Sequence, residues 1–304
     1  MLSILIPTYN YNITPLVGEL HKQAISLNII FEILVMEDGS TLFVEENQEI
    51  GKLEHCKHIL LTENIGRSAI RNKLADSAKH QFLLFADCDA EVQNVNFIAN
   101  YLPFCEDDAV IIGGTAYDPN NHDPAYSLRL KYGRAREANT DYIKGQKGYE
   151  NFTTFNFLID KKVFDEVRFD VKITGYGHED TLFGHALHEQ GYSFQRINNP
   201  LIHKGLDDNE SFLRKTIESV KNLYLLYISG KYPFLAEESK LLRTFIKLKQ
   251  FKLVRLMSLK LKLSKPILER NLKSEHPSLF YYDIYKLGCS LFKFLSNIGL
   301  ESEH

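Results

Sequence analysis

Cysteine is scarce in this chain. Cys56, Cys88, Cys105 and Cys289 are scattered through 304 positions with no C-x-x-C spacing, which argues against a disulfide framework or a zinc knuckle and fits free thiols in a reducing compartment. Long apolar runs are missing too. No stretch reaches the roughly 18 uncharged apolar residues of a membrane span, and the opening Leu2-Ser3-Ile4-Leu5-Ile6-Pro7, with no basic residue ahead of it, is too short an apolar run for a signal peptide. Neither a P-loop nor a G-x-G-x-x-G fingerprint occurs, so ATPase and dinucleotide readings lose support. No Ser or Cys stands in a setting that would activate it as a nucleophile.

What is present is an ordinary globular composition, 44% hydrophobic and 25% charged, with enough chain for one large domain and an appendage. The net charge of −3 hides an asymmetry. Residues 1–203 carry 18 Lys+Arg against 28 Asp+Glu, whereas residues 204–304 carry 18 against 11. An acidic body and a basic tail region with a different partner are expected.

Strand and helix patterns alternate through the body. Strands are expected at 2–6, 31–36, 58–61, 82–86, 109–112, 153–159 and 192–197. Helices are expected to start at Thr14-Pro15 and at Ser68 as an N-cap, and to run over 94–102, 126–138, 161–167 and 179–190. Such alternation implies a doubly wound α/β sheet, and in open sheets of this class ligands sit beyond the carboxyl ends of the strands.

Acids stand at those ends. In Phe82-Leu83-Leu84-Phe85-Ala86-Asp87-Cys88-Asp89 a buried strand runs straight into two carboxylates one residue apart. They repel unless a cation shares them, and Mg2+ or Mn2+ suits oxygen ligands; a solvated loop with two neighbouring acids is the other reading. Asp38, in Glu37-Asp38-Gly39-Ser40, reads either as a ligand contact or as a turn-stabilising acid. Arg67 and Arg71, four apart beside a helix N-terminus, form an anion-binding arrangement or a solvated basic face. Glu179-Asp180 follows Gly175 and Gly177 into the first turn of a helix, which allows close ligand approach or simply favourable capping charge. His203, after the apolar pair Leu201-Ile202, is structural unless it converges with Asp89.

The stretch 115–148 is irregular, with Lys144-Gly145-Gln146-Lys147-Gly148 read as mobile, and suits a lid or specificity loop. Past Gly205 only helices are expected. Phe212 to Tyr227 gives one stripe, and Leu241 to Met257 reads as a continuous basic amphipathic helix that either lies on an anionic membrane, docks a partner or packs on the body. Leu279 to Leu300 reads as a packing or interfacial helix.

Together, Ile6-Pro7-Thr8-Tyr9-Asn10, Glu37-Asp38-Gly39-Ser40, Asn64-Ile65-Gly66-Arg67 with Arg71-Asn72, Asp87-Cys88-Asp89 and Gly177-His178-Glu179-Asp180 resemble, in order, the motifs of the inverting, nucleotide-sugar-dependent glycosyltransferases of family two. The resemblance covers roughly residues 1–205, and Gly175 to Gly184 also looks like the acceptor-side motif of galactosyltransferases. It implies the GT-A fold, a Rossmann-like, mostly parallel mixed sheet flanked by helices, in a catalytic domain at 1–205. There, 1–114 would be the nucleotide-sugar half and 115–205 the acceptor half, followed by a helical region at 206–304.

Carried over by position, the resemblance implies Pro7, Thr8 and Tyr9 around the nucleobase, with Asp38 bonding it. Gly66 and Arg71 would lie near base and diphosphate, and Asp87 near the ribose or a metal-bound water. Mn2+ or Mg2+ would be held by Asp89, with Asp87 and His203 in attendance. Asp180 would be the catalytic base, kept ionised by its helix terminus, with Glu179, Gly177 and His178 on the acceptor side. The implied donor is a nucleotide sugar, UDP-linked by family habit, and the acceptor a glycan or lipid-linked hydroxyl in bacterial surface polysaccharide synthesis, with no nucleic acid involved. The place implied is the cytoplasm, with peripheral contact at the inner membrane face through the basic helices. Two rivals are a metal-dependent nucleotidyltransferase or phosphohydrolase, and an inactive carbohydrate-binding member.

Overall fold

A computed structural model of the chain describes residues 1–138, 149, 152–173 and 175–297. The expected mobile segment Lys144–Gly148, Thr174 and the last residues of the apolar stretch ending at Leu300 lie outside the described residues. In chain order the elements are β1 (Leu2–Thr8), α1 (Thr14–Ser26), β2 (Phe31–Glu37), α2 (Val44–Gln48), β3 (Cys56–Leu60), α3 (Arg67–Ser77), β4 (Phe82–Ala86), β5 (Ala90–Glu91), β6 (Val110–Ile112), β7 (Thr115–Ala116), α4 (Ser127–Arg136), β8 (Asn156–Asp160), α5 (Lys161–Glu166), α6 (Glu179–Glu189), β9 (Gln195–Arg196), β10 (Leu201–His203) and the helices α7 (Asn209–Ile228), α8 (Phe234–Glu238), α9 (Lys240–Gln250), α10 (Val254–Leu272) and α11 (Leu279–Asn297).

The described residues fall into two units. The first, Met1–Asp118 with Arg134–Ile173 and Glu179–Gly205, is built on a seven-stranded sheet in the order β3-β2-β1-β4-β8-β6-β9. Strands β3, β2, β1 and β4 are parallel, and β8 runs antiparallel between β4 and β6. The sheet is mixed and mostly parallel, with helices on its faces, as expected of the GT-A class. Strands such as Phe82–Ala86 are buried along their whole length because both faces are covered. Successive residues of a strand serve opposite faces: Ile4, Ile6, Val35 and Leu84 join α1 in one core, while Leu5, Leu34, Leu83 and Phe85 join α3, α5 and α6 in the other, as the period of two dictates.

Three expectations are corrected. Helix α3 begins at Arg67 with Gly66 as its N-cap, and Ser68 is buried inside the first turn; Gly66 has φ +87°, which glycine adopts without strain. Residues 95–101 form turns that lead into a single 3-10 turn at Leu102–Phe104, not the helix expected over 94–102. Gln23 of α1 takes the Ile98 N–H at 3.1 Å and donates to the Asn94 carbonyl at 2.9 Å, groups that a helix would have used itself. The stretch 241–257 is two helices: Lys252 adopts φ +56°, and the Leu253 N–H closes back on the Leu248 carbonyl at 2.9 Å.

The second unit comprises Pro119–Gly133, Thr174–His178 and Leu206–His304. Asp208 caps α7 through the Ser211 N–H at 2.8 Å, and Ser239 caps α9. Two apolar clusters hold the helices, one around Leu128, Phe212, Leu268 and Tyr282 and the other around Tyr224, Phe245, Leu261 and Leu291.

Candidate active site

The carboxyl ends of β1, β2 and β4 lie on one rim of the sheet, since Thr8 pairs with Glu37 and Leu5 with Phe85. Pro7 and the buried Thr8 close β1, Tyr9 follows exposed, and the Asp38 N–H donates to the Thr8 carbonyl at 2.8 Å. Asp38 is buried, and its two oxygens accept from the Ile65 N–H at 2.7 Å and the Gly66 N–H at 3.1 Å. It therefore clamps the entry to α3, while each oxygen retains a lone pair.

Glu37 organises the same loops. Its buried carboxylate accepts from Ser40 Oγ at 2.5 Å and Asn47 Nδ2 at 2.7 Å and lies 3.2 Å from His58 Nε2. Ser40 Oγ in turn accepts from the Asn10 N–H at 2.9 Å. Burial alone would push the Glu37 pKa up, but the hydrogen bonds from His58, Ser40 and Asn47 outweigh it and hold the group below its usual value.

From α3, Arg71 turns inward. Its Nη2 donates to Asp87 Oδ1 at 2.6 Å and its Nη1 to the Arg67 carbonyl at 3.2 Å, while its Nε is buried with no acceptor among the described residues. A buried guanidinium N–H left open is a place for an anion. Burial raises the Asp87 pKa and Asp89 adds to that; Arg71 opposes it. One turn earlier, Arg67 Nη1 lies 3.5 Å from Glu179 Oε1, so the two arginines reach acids on two different elements.

Asp180 begins α6 beside Glu179 and accepts from the Thr181 N–H at 2.7 Å. Burial first, then the charge of Glu179, push its pKa up to about 6, against the pull of the Thr181 N–H and of Arg71. This corrects the expectation that the helix terminus sets the balance in favour of the ionised form; burial beside a second acid outweighs it. The group is still ionised at neutral pH, with a pKa near the working range of a general base.

Asp89 converges with His203. The short strand β10 pairs antiparallel with β5, setting His203 opposite Ala90, and His203 Nε2 lies 3.0 Å from Asp89 Oδ2. The Lys204 N–H donates to the Asp89 carbonyl at 2.9 Å, and Tyr117 Oη lies 3.4 Å from the other ring nitrogen, Nδ1. Gly205 completes the enclosure: a Cβ there would run into the Asp89 carboxylate. Among the described residues no group of three or more His, Cys, Asp or Glu side chains is arranged to hold a metal. The Asp89–His203 pair offers one oxygen and one nitrogen, which suits a divalent cation completed by substrate phosphates and water. Asp87 is engaged by Arg71.

Gly177 and His178 belong to the second unit, where the Gly177 carbonyl accepts from Asn222 Nδ2 at 3.0 Å and His178 Nε2 donates to the Ser219 carbonyl at 3.0 Å. Sequence reasoning missed Gly205, Tyr117 and the Glu37 network, because nothing in local spacing marks contacts made across tens of residues. A cleft of about 780 Å³, lined by Asp107, Val110, Lys162, Glu166 and Tyr192, is not this site. It lies where β6 starts, at the opposite rim.

A family model described as Glycosyl transferase family 2 matches residues 3–168. The chain belongs to glycosyl transferase family 2. The match takes in Asp38, Arg71, Asp87 and Asp89, and ends before Asp180 and His203. Among curated proteins none matches the chain. Among solved structures it is similar to a mannosyltransferase, PcManGT from Pyrobaculum calidifontis in complex with GDP-Man and Mn2+, with TM-score 0.54 and 13% identity over 99% of this chain and 88% of that one. It is also similar to S. aureus TarS 1-349 in complex with UDP-GlcNAc, with TM-score 0.51 and 15% identity over 99% and 93%. Of the longer S. aureus TarS chain it spans 39%, with TM-score 0.50 and 18% identity over 73% of this chain. At these identities the likeness speaks for the fold, and the family-2 assignment rests on the sequence match.

Proposed function

We propose that the chain is a metal-assisted, inverting glycosyltransferase that moves a hexosyl group from a nucleotide diphosphate sugar, UDP-linked, to a hydroxyl of a glycan or lipid-linked acceptor in the making of a surface polysaccharide. The observation that carries this reading is the meeting, in one unit, of Asp89 with His203, of Arg71 with Asp87 and of Arg67 with Glu179. Neighbours of the same fold bound to UDP-GlcNAc and to GDP-Man with Mn2+ support it.

Pro7, Thr8, Tyr9 and Asp38 border the base in this reading, and Gly66 stands at the N-terminus of α3, where backbone N–H groups favour anions. Arg71 Nε donates to the diphosphate. Asp89 and His203 hold Mn2+ or Mg2+, with Asp87 beside them. Such a cation supplies charge stabilisation for the departing diphosphate. Asp180 takes the proton of the acceptor hydroxyl as its oxygen attacks the anomeric carbon from the face opposite the leaving group. The C–O bond to the diphosphate breaks as the new one forms, so the sugar inverts and no carboxylate is glycosylated. Glu179, Gly177 and His178 serve the acceptor side. On this reading the chain is cytoplasmic and works at the inner membrane face.

A thermal-shift screen of nucleotide sugars with Mn2+ tests the proposal. One UDP-sugar should raise the melting temperature in the presence of metal, and product analysis should then show transfer only when an acceptor alcohol is added. Equal release of sugar with and without acceptor would mark a hydrolase instead.

A further inference from the structure

Helix α10 carries two apolar stripes. Val254, Leu261, Leu268 and Leu272, with Ser258 between the first two, are buried and recur at steps of four, three, seven and four residues, the repeat of a packed seam. The opposite side carries Leu256, Leu259, Leu263 and Ile267, which are 52%, 57%, 74% and 66% exposed. At 3.6 residues per turn these four lie within about 40° of one line, roughly 180° from the seam. Phe251, 71% exposed at the turn before α10, extends the same apolar surface.

Exposed cations border this stripe. Arg255 and Lys262 stand on one flank, Lys260 on the other, and Lys252 and Arg270 at its ends, all in contact with solvent. From Lys240 to Leu272 the chain has ten Lys and Arg and a single acid, Glu269. Among the described residues no helix is long and apolar enough to cross a membrane.

We infer that the outer face of α10 lies on an anionic membrane surface, Leu256, Leu259, Leu263 and Ile267 entering the acyl boundary while the flanking cations meet lipid headgroups. Charge selects this occupant. A second copy of the chain would bring one strongly basic surface against another, whereas an anionic bilayer offers both an apolar medium and negative charge. Apolar contact and basic residues are each marginal anchors alone and sufficient together. The inference gives a specific surface to the membrane contact in the proposed function, yet its geometry does not depend on transferase chemistry.

Vesicle flotation of the full chain tests it, with phosphatidylcholine vesicles compared with vesicles containing about one third phosphatidylglycerol. The chain should bind the anionic vesicles at least about tenfold better, with binding reduced as salt screens the charges. Leu259→Gln with Leu263→Gln, at positions outside the packed seam, should cut anionic binding about tenfold or more while leaving the melting temperature unchanged; Lys260→Glu with Lys262→Glu should do the same. Equal affinity for both vesicles, no binding, or full binding by the leucine variant would overturn the inference. So would a wild-type dimer in solution that the leucine changes dissociate. Calorimetry of UDP-sugar binding on the same samples separates the two readings, because vesicle binding and donor binding can then fail independently.

Discussion

His203 Nε2 stands 3.0 Å from Asp89 Oδ2 across 114 positions of sequence. The contact exists because β10 joins β5 and β7 in a small sheet of its own, and it turns an isolated histidine into the partner of a strand-end acid.

If this pair holds the cation, His203→Ala should raise the Mn2+ concentration for half-maximal turnover about tenfold or more, an effect of the size expected when a metal site loses a ligand or its support, and Asp89→Asn should leave turnover insensitive to metal. Metal titrations of transfer rate decide it. Unchanged titration curves for both variants would remove the pair from the metal site.

Asp180 links activity and stability with opposite signs. A base must be ionised, so turnover should fall on the acid side with a midpoint near pH 6, the value to which burial and Glu179 raise the group. For stability the sign runs the other way: a carboxyl whose folded pKa is raised contributes stability at low pH that is lost as pH rises through about 6. Asp180→Asn should therefore abolish turnover, leave donor binding intact and stabilise the chain at pH 8 by about 1–3 kcal/mol. Chemical denaturation alongside kinetics measures both; a destabilised variant would contradict the account.

Gly205→Ala should be a folded but crippled protein. The added methyl runs into the Asp89 carboxylate, so the acid must leave its position. Turnover should drop at least about tenfold, an effect of the kind expected when a metal ligand is displaced, while circular dichroism stays native. Normal metal-dependent turnover would mean that the Asp89 position is not critical.

Glu37 has a lowered pKa, so it contributes stability above its unfolded value that is lost as pH falls through the folded one. Glu37→Gln should cost about 2 kcal/mol at pH 7 by weakening the charged acceptor of Ser40, Asn47 and His58. Its stability should then change less than that of the wild type below about pH 4.5. Parallel acid profiles of the two proteins would refute the buried charge.

The parallel strands were legible because both-face burial writes Phe82–Ala86 as a continuous apolar run and Leu2–Ile6 as one broken only by Ser3, and the acids after Phe82–Ala86 could be placed on the rim from strand direction alone. The helix expected at 94–102 does not form because Gln23, more than seventy positions earlier, takes its backbone groups. The continuous helix expected through 257 fails at Lys252, whose left-handed backbone has no clear sequence signal. Asp38, Arg71, Asp87 and Asp89 could be singled out by spacing. Gly66 and His203 entered through the family resemblance, and their contacts with Asp38 and Asp89, like that of Gly205, depend on chain crossings that no local pattern encodes.

The most direct measurement is a crystal structure of the chain grown with UDP and Mn2+, using manganese anomalous scattering. One strong peak is expected between Asp89 and His203, with the diphosphate beside Arg71. A nucleotide bound at another rim, or manganese that avoids the Asp89–His203 pair, would contradict that placement.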